Sequence, residues 1–132
     1  MLVKKVYLAG PIRRVSDDEA RVWRDMVSGW MRGAGFEPIN PLNVENVAGV
    51  NVVRWDLDSI RRCAAVFAQV PDDVPMVGTP MEIFYAASLG IPVYVFGAVD
   101  PSPWVRAHSV CVYEHAVDTF KFFERNEHAR RW

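Results

Sequence analysis

The stretch from Pro71 to Phe96, PDDVPMVGTPMEIFYAASLGIPVYVF, decides the fold of this chain. It contains a loop with two aspartates, a Gly-Thr-Pro turn, a single acid, Glu82, expected in the first turn of a helix, and then an apolar strand. Ahead of it, Ala64 to Val70, AAVFAQV, reads as another short apolar strand. Strand, loop, helix and strand in that order make a βαβ crossover, the connection that joins parallel strands. Its loop opens at the carboxyl edge of the sheet, where open α/β sheets take their ligands. A carboxylate just inside the following helix faces whatever binds there, so Glu82 is the first candidate for chemistry. The helix macrodipole alone, worth about 0.3 to 1 kcal/mol, also favours an acid in a first turn. The apolar neighbours Met81, Ile83, Phe84 and Tyr85 weigh the other way, because a carboxylate among such groups is costly unless it is paired or used.

Towards the N-terminus the same alternation continues. Leu2 to Ala9 reads as a first, central parallel strand that stops at Gly10-Pro11. Ser16 with Glu19 forms a capping box for a helix running to about Gly33. Val22, Trp23, Met26, Val27 and Trp30 recur in it at spacings of three and four, which predicts one face packed on the sheet. Phe36 to Ile39 is a short strand whose Pro38 suits a sheet edge. The patternless run from Leu42 to Val50 is expected to be a lid or a substrate wall. A helix over about Asn51 to Cys63 follows, with Val52, Val53, Leu57 and Ile60 expected on its buried face and Asp56 and Asp58 turned elsewhere.

Beyond the central unit, Gly90 closes the Glu82 helix and Gly97 to Pro103 reads as a turn-rich loop. Ser109 to Tyr113 is a fifth strand, and His115 to about Arg130 a last helix with Ala116, Phe120 and Phe123 inward. The five Trp are expected in the core or at an interface. Such alternation without internal repeats predicts an α/β fold, a flavodoxin-like or Rossmann-like doubly wound sheet of about five parallel strands in a single domain over residues 1–132.

Composition narrows the function classes. The chain has 132 residues, 51% of them hydrophobic and 23% charged, an ordinary globular mix. A net charge of -1 lacks the broad positive footprint of a duplex nucleic-acid binder. The two cysteines, Cys63 and Cys111, form no metal or disulfide pattern, so a cytoplasmic setting is expected. No apolar run approaches the roughly 20 residues of a membrane span, and Met1 to Leu8 does not read as a signal peptide.

Around the strand ends lie further candidates. Gly10-Pro11-Ile12-Arg13-Arg14 is no GxGxxG fingerprint, yet a tight turn followed by two arginines suits forked bonds to a 5'-phosphate; the plainer reading is a strand stop with two solvated arginines. Asp56 and Asp73 are the acids that could approach Glu82, although an exposed carboxylate is the commoner state of Asp. His108, His115 and His128 have neither triad nor metal spacing, and no metal or organic cofactor is expected.

YLAGPI at Tyr7 to Ile12, DLDSI at Asp56 to Ile60 and GTPMEI at Gly78 to Ile83 resemble, in order and spacing, the three signature blocks of the nucleoside 2-deoxyribosyltransferase family, whose superfamily also holds nucleoside 5'-monophosphate N-glycosidases. The resemblance runs from Tyr7 to about Phe96. It implies that Glu82 attacks the anomeric carbon of a (deoxy)ribosyl group to give a covalent glycosyl-enzyme, that Asp56 handles the proton of the departing base, and that the Tyr7 hydroxyl holds the nucleophile. It implies that Gly10, Ile12, Gly78, Thr79 and Met81 line the substrate pocket, with Asp73 a further candidate there. Arg13 resembles the phosphate-contacting arginine of the monophosphate N-glycosidases. Where those enzymes carry a serine ahead of the Gly-Thr pair, this chain has Met76-Val77, which removes one phosphate donor. The family further implies a homo-oligomer, a dimer or larger, with shared active sites, to which Arg106, Ser109, Trp104 and Trp132 are candidate contributors. Transfer to a second base, hydrolysis, and a catalytically silent nucleotide-binding module all stay open on the sequence, though a silent binder has no need of both acids.

Overall fold

The computed structural model describes residues 3–43 and 50–130. Five strands, β1 (Lys5–Ala9), β2 (Glu37–Ile39), β3 (Ala65–Gln69), β4 (Val93–Phe96) and β5 (Cys111–Tyr113), form one sheet. All neighbours pair in parallel, in the order β2-β1-β3-β4-β5. This is the doubly wound α/β arrangement expected from the sequence. β2 takes an edge, as Pro38 requires. β1 is interior, but the centre belongs to β3. The chain reverses its winding between β1 and β3, and the crevice outside their carboxyl ends is the topological switch point of such a sheet.

Side chains alternate along each interior strand and so feed two cores. Tyr7, Ala9, Val66, Ala68, Val93 and Val95 face one side, with Ile60 and Ile83. Val6, Leu8, Ala65, Phe67, Tyr94 and Phe96 face the other, with Trp23, Val27, Met31 and Phe123. Each large apolar side chain buried there contributes roughly 1.5 to 3 kcal/mol. The first core is covered by helices α2 (Val50–Arg61) and α3 (Gly78–Ser88), the second by α1 (Asp17–Gly33) and α5 (Ala116–Ala129).

Helix α1 starts where its capping box predicts. Ser16 Oγ accepts from the Glu19 amide at 3.1 Å. Its inward stripe differs from the expected one, since Val22 and Met26 are exposed while Ala20, Arg24, Val27 and Met31 are buried. α1 packs over the twisted sheet along the 20, 24, 27, 31 line, which leaves Val22 and Met26 on its outer flank. α3 begins at Gly78, so Glu82 lies in its second turn rather than its first. Gly90, at φ +77, closes this helix in the left-handed conformation that glycine adopts without strain. The expected loop after β4 ends in a short helix, α4 (Pro103–Ala107), capped by Ser102, whose Oγ accepts from the Val105 amide. Phe123 is buried in α5, and Ala116 and Phe120 are half-buried against the same core. A 3-10 turn spans Pro41–Asn43. The rest of the expected wall, residues 44–49, and the termini with Leu2 and Trp132 lie outside the described residues.

Candidate active site

The turn after β1 and the loop after β3 leave the sheet side by side, and α2, α3 and α4 close around them. The result is an open cleft of about 1050 Å³. Gly10 to Arg14 line it from β1, Val52, Val53, Asp56 and Leu57 from α2, Pro75 to Tyr85 from the β3 loop and α3, and Trp104, Val105 and His108 from α4. Of the expected buried face of α2, Ile60 alone is fully buried and Val53 is exposed. One turn of this helix looks into the cleft instead of the core, which brings Asp56 in with Val52 and Val53.

Tyr7, Asp56 and Glu82 meet at the floor. The Tyr7 hydroxyl donates to Glu82 Oε2 at 2.6 Å across 75 residues of sequence. Tyr7 points to the α2/α3 side because alternate residues of a strand do so, and it is 1% exposed. Burial pushes the Glu82 carboxyl up to about 7; the nearby Asp56 carboxylate adds to the rise, while the Tyr7 hydrogen bond and the Arg24 guanidinium oppose it. The Asp56 carboxyl is also raised, mainly by burial, with Tyr7 and Arg24 pulling it back. The Tyr7 phenol is held firmly protonated by burial and by the two acids, so it serves as a donor. Both carboxyls are raised in one cleft, and that of Glu82 reaches about 7. Such an arrangement can supply one anionic oxygen and one acid proton at once.

Other expected residues are placed around this trio. Gly10, Ile12, Arg13, Gly78, Thr79 and Met81 all line the cleft, joined by Arg14. Gly10 packs so closely that an added Cβ would lie 2.9 Å from Trp23 Cζ2. Met81 and Phe84, expected to surround Glu82 with apolar groups, are instead exposed on the rim; the burial of Glu82 comes from the strand and helices behind it. Val77, just ahead of α3, gives no side-chain cap, and Gly78 and Thr79 of the first turn line the cleft.

Asp73 is not brought to the trio. It lines a separate depression of about 520 Å³ on the α1 side, with Asp18, Glu19 and Gln69. Asp72 accepts from the amides of Val99 at 2.7 Å and Asp100 at 3.2 Å, which ties the loop to the chain after β4 and holds its neighbour on that side. Ser109 Oγ donates to Val105 O at 2.6 Å within its own segment, while Arg106 is exposed. Among the described residues no group of three His, Cys, Asp or Glu side chains is placed to hold a metal ion.

Sequence reasoning missed two features. Trp104 and His108 form a stacked pair on the rim, with His108 Nδ1 donating to Trp104 O at 2.6 Å. Arg24 is fully buried behind the site. Its signal was present, since it stands on the 20, 24, 27, 31 line that a helix turns inward.

A family model described as nucleoside 2-deoxyribosyltransferase matches residues 6–123. The chain belongs to the nucleoside 2-deoxyribosyltransferase family. It is therefore an enzyme that cleaves or transfers N-glycosidic bonds. Among solved structures it is similar to a 2-deoxyribosyltransferase from Leishmania mexicana, at 24% identity, with 96% of this chain and 99% of that one covered and a TM-score of 0.75. It is similar to a 2-deoxyribosyltransferase from Bacillus psychrosaccharolyticus at 18% identity, covering 97% and 93%, TM-score 0.69. A CMP N-glycosidase from Clostridium botulinum, at 18% identity, is covered to 100% by 96% of this chain, TM-score 0.66. At these identities the likeness is one of fold. The comparison with curated protein sequences finds no match.

Proposed function

We propose that this deoxyribosyltransferase-family enzyme breaks the N-glycosidic bond of a (deoxy)nucleoside or its 5'-monophosphate through a covalent glycosyl-Glu82. The observation that carries this reading is the 2.6 Å hydrogen bond from Tyr7 to Glu82, with Asp56 in the same cleft. A Glu82 carboxylate oxygen attacks C1' of the sugar while the bond from C1' to the base nitrogen breaks, and its electron pair leaves with the base. Asp56 delivers a proton to that base, so the leaving group departs neutral. Tyr7 holds the attacking oxygen in line and stabilises its anionic form. In the second half Asp56 takes a proton from water or from an acceptor base, which attacks C1' and releases Glu82. Gly10, Ile12 and Met81 shape the base and sugar pocket.

A second reading, a nucleoside 5'-monophosphate N-glycosidase, is favoured by the anion-binding end of the cleft. Arg13 and Arg14 line it beside the uncapped first turn of α3 at Gly78 and Thr79. Backbone amides at a helix start and forked guanidinium groups are the donors a phosphate uses.

The rim supports a shared site. Trp104, Met81 and Phe84 are exposed around the cleft, a set that suits a second copy of the chain, with Arg106 reaching across. A cytoplasmic setting fits the two free thiols, Cys63 and Cys111; among the described residues no helix is long and apolar enough to cross a membrane.

The test is chromatographic, with a panel of nucleosides and 5'-monophosphates, with and without a free acceptor base, against wild type and Glu82→Ala. Free base from monophosphates alone, without acceptor, selects hydrolysis of a nucleotide. A new nucleoside formed when acceptor is present selects transfer. Turnover retained in Glu82→Ala overturns the covalent reading, and no turnover by wild type of any substrate returns the silent binding module.

A further inference from the structure

Arg24 is the largest fully buried side chain of the described chain, with 0% exposure. Among the described residues it makes no ion pair with a carboxylate. Its guanidinium donates Nε to Leu8 O at 3.4 Å, Nη1 to Ala20 O at 2.7 Å and Nη2 to Gly10 O at 3.0 Å. It also lies 4.7 Å from the centre of the Trp23 ring. A buried cation without a carboxylate partner is expensive, and a methionine of similar size would avoid that cost but deprive the carbonyls of Leu8, Ala20 and Gly10 of this donor. Something other than packing therefore has to account for the charge.

Two of the three carbonyls belong to the end of β1 and the turn after it. Tyr7 stands one residue before Leu8, and Pro11 and Ile12 follow Gly10 into the cleft wall. The guanidinium thus grips, from the α1 side, the backbone that carries the site on the α2/α3 side. We propose that Arg24 is the positioning residue of this site, fixing the turn from Gly10 to Ile12 and offsetting, from behind the strand, the negative charge of the Glu82 and Asp56 pair. It deepens the reading of Glu82 as an anionic nucleophile and rests on it.

The charged surroundings agree. Around Glu82 stand Tyr7 from β1, Asp56 from α2 and Arg24 from α1, with Arg13, Arg14 and His108 on the rim. Arg13 and Arg14 are exposed and screened by water, whereas Arg24 acts through a dry interior. Burial lowers the guanidinium only to about 10, so it stays charged throughout the neutral range.

The test compares wild type, Arg24→Met, Arg24→Gln and Arg24→Lys as full chains. Carboxyl carbons of Glu and Asp are ¹³C-labelled and titrated by NMR, with the Glu82 signal assigned from its loss in Glu82→Gln. In Arg24→Met the proton affinity of Glu82 is expected to rise about tenfold. The acid limb of kcat/KM should move up by the same factor. Arg24→Lys keeps the charge and loses the fork, so its titration should stay near wild type while kcat/KM falls through the displaced turn. If Arg24→Met does not fold, Arg24→Gln reads the same loss of charge. A lowered Tm with the Glu82 titration and the acid limb both unmoved makes Arg24 a structural plug and overturns the proposal. The titration needs no substrate. A wild type that turns over no N-glycoside therefore refutes the functional reading and leaves the titration standing, and an unmoved titration in an active enzyme refutes the role of Arg24 alone.

Discussion

Replacing Glu82 with glutamine should make the protein more stable, and the gain should depend on pH. The carboxyl is pushed up to about 7 in the folded chain, against 4.5 for an ordinary glutamate. Between those two values the folded state holds a proton that the unfolded state has released, so stability falls as pH rises through this window and levels off above about 7. The gap between about 7 and 4.5, at about 1.4 kcal/mol for each pH unit, amounts to about 3 kcal/mol at pH 8. Glu82→Gln keeps the size and the acceptor for the Tyr7 hydroxyl and has no proton to lose. It also relieves Asp56 of a neighbouring negative charge, which acts in the same direction. The variant should exceed wild type by about 3 kcal/mol at pH 8, on the order of 10 °C in Tm, and by less than about 1 kcal/mol at pH 5. Urea unfolding of both proteins at several pH values and one fixed protein concentration measures this, the concentration being held because assembly would shift both curves. A stability difference that stays flat from pH 5 to pH 8 would refute the claim that the cleft raises this carboxyl.

Tyr7→Phe removes the donor that favours the Glu82 anion, so the acid limb of the kcat/KM profile should climb and the rate at pH 7 fall about tenfold. Asp56→Asn should lower kcat by about 10² to 10⁴ for a natural base, and much less for a base that leaves readily unprotonated, which a leaving-group series in single-turnover assays separates. Arg13→Ala should raise KM for a 5'-monophosphate by about 10- to 100-fold, the loss of a bond to a charged group, while leaving the matching nucleoside unaffected. Gly10→Ala places a methyl 2.9 Å from Trp23 Cζ2 and 3.3 Å from Arg24 Nη2. With those buried neighbours unable to withdraw, thermal unfolding should show a loss of about 1 to 3 kcal/mol.

The sheet was legible because its signals are local. AAVFA and IPVYV are continuous apolar runs, which strands buried on both faces require, and the capping box at Ser16 and Glu19 fixes the start of α1 to the residue. The site was legible where a motif sits at a strand end, since the topology alone brings Gly10 to Ile12 and Gly78 to Glu82 to one edge. What stayed hidden depends on how elements settle against each other. The helical spacing of α1 admits two adjacent stripes, one through Val22 and Met26 and one through Arg24 and Met31, and hydrophobicity favours the first. The sheet selects the second because a cation there finds the free carbonyls of Leu8 and Gly10, which an apolar side chain would leave unpaired. Asp73 misled for a similar reason. Two adjacent aspartates in a loop look equivalent in sequence, yet Asp72 is taken by the amides of Val99 and Asp100, and that anchor turns Asp73 away from the cleft. Arg24 and Asp72 thus do related work from opposite charges: each side chain satisfies backbone groups at the carboxyl edge of the sheet, and each sets the course of a loop flanking the crevice. Those loops wall the cleft whose burial raises the acids at its floor, while the Arg24 charge pulls them back, so mutations at either anchor should shift the titration of Glu82 before they unfold the sheet.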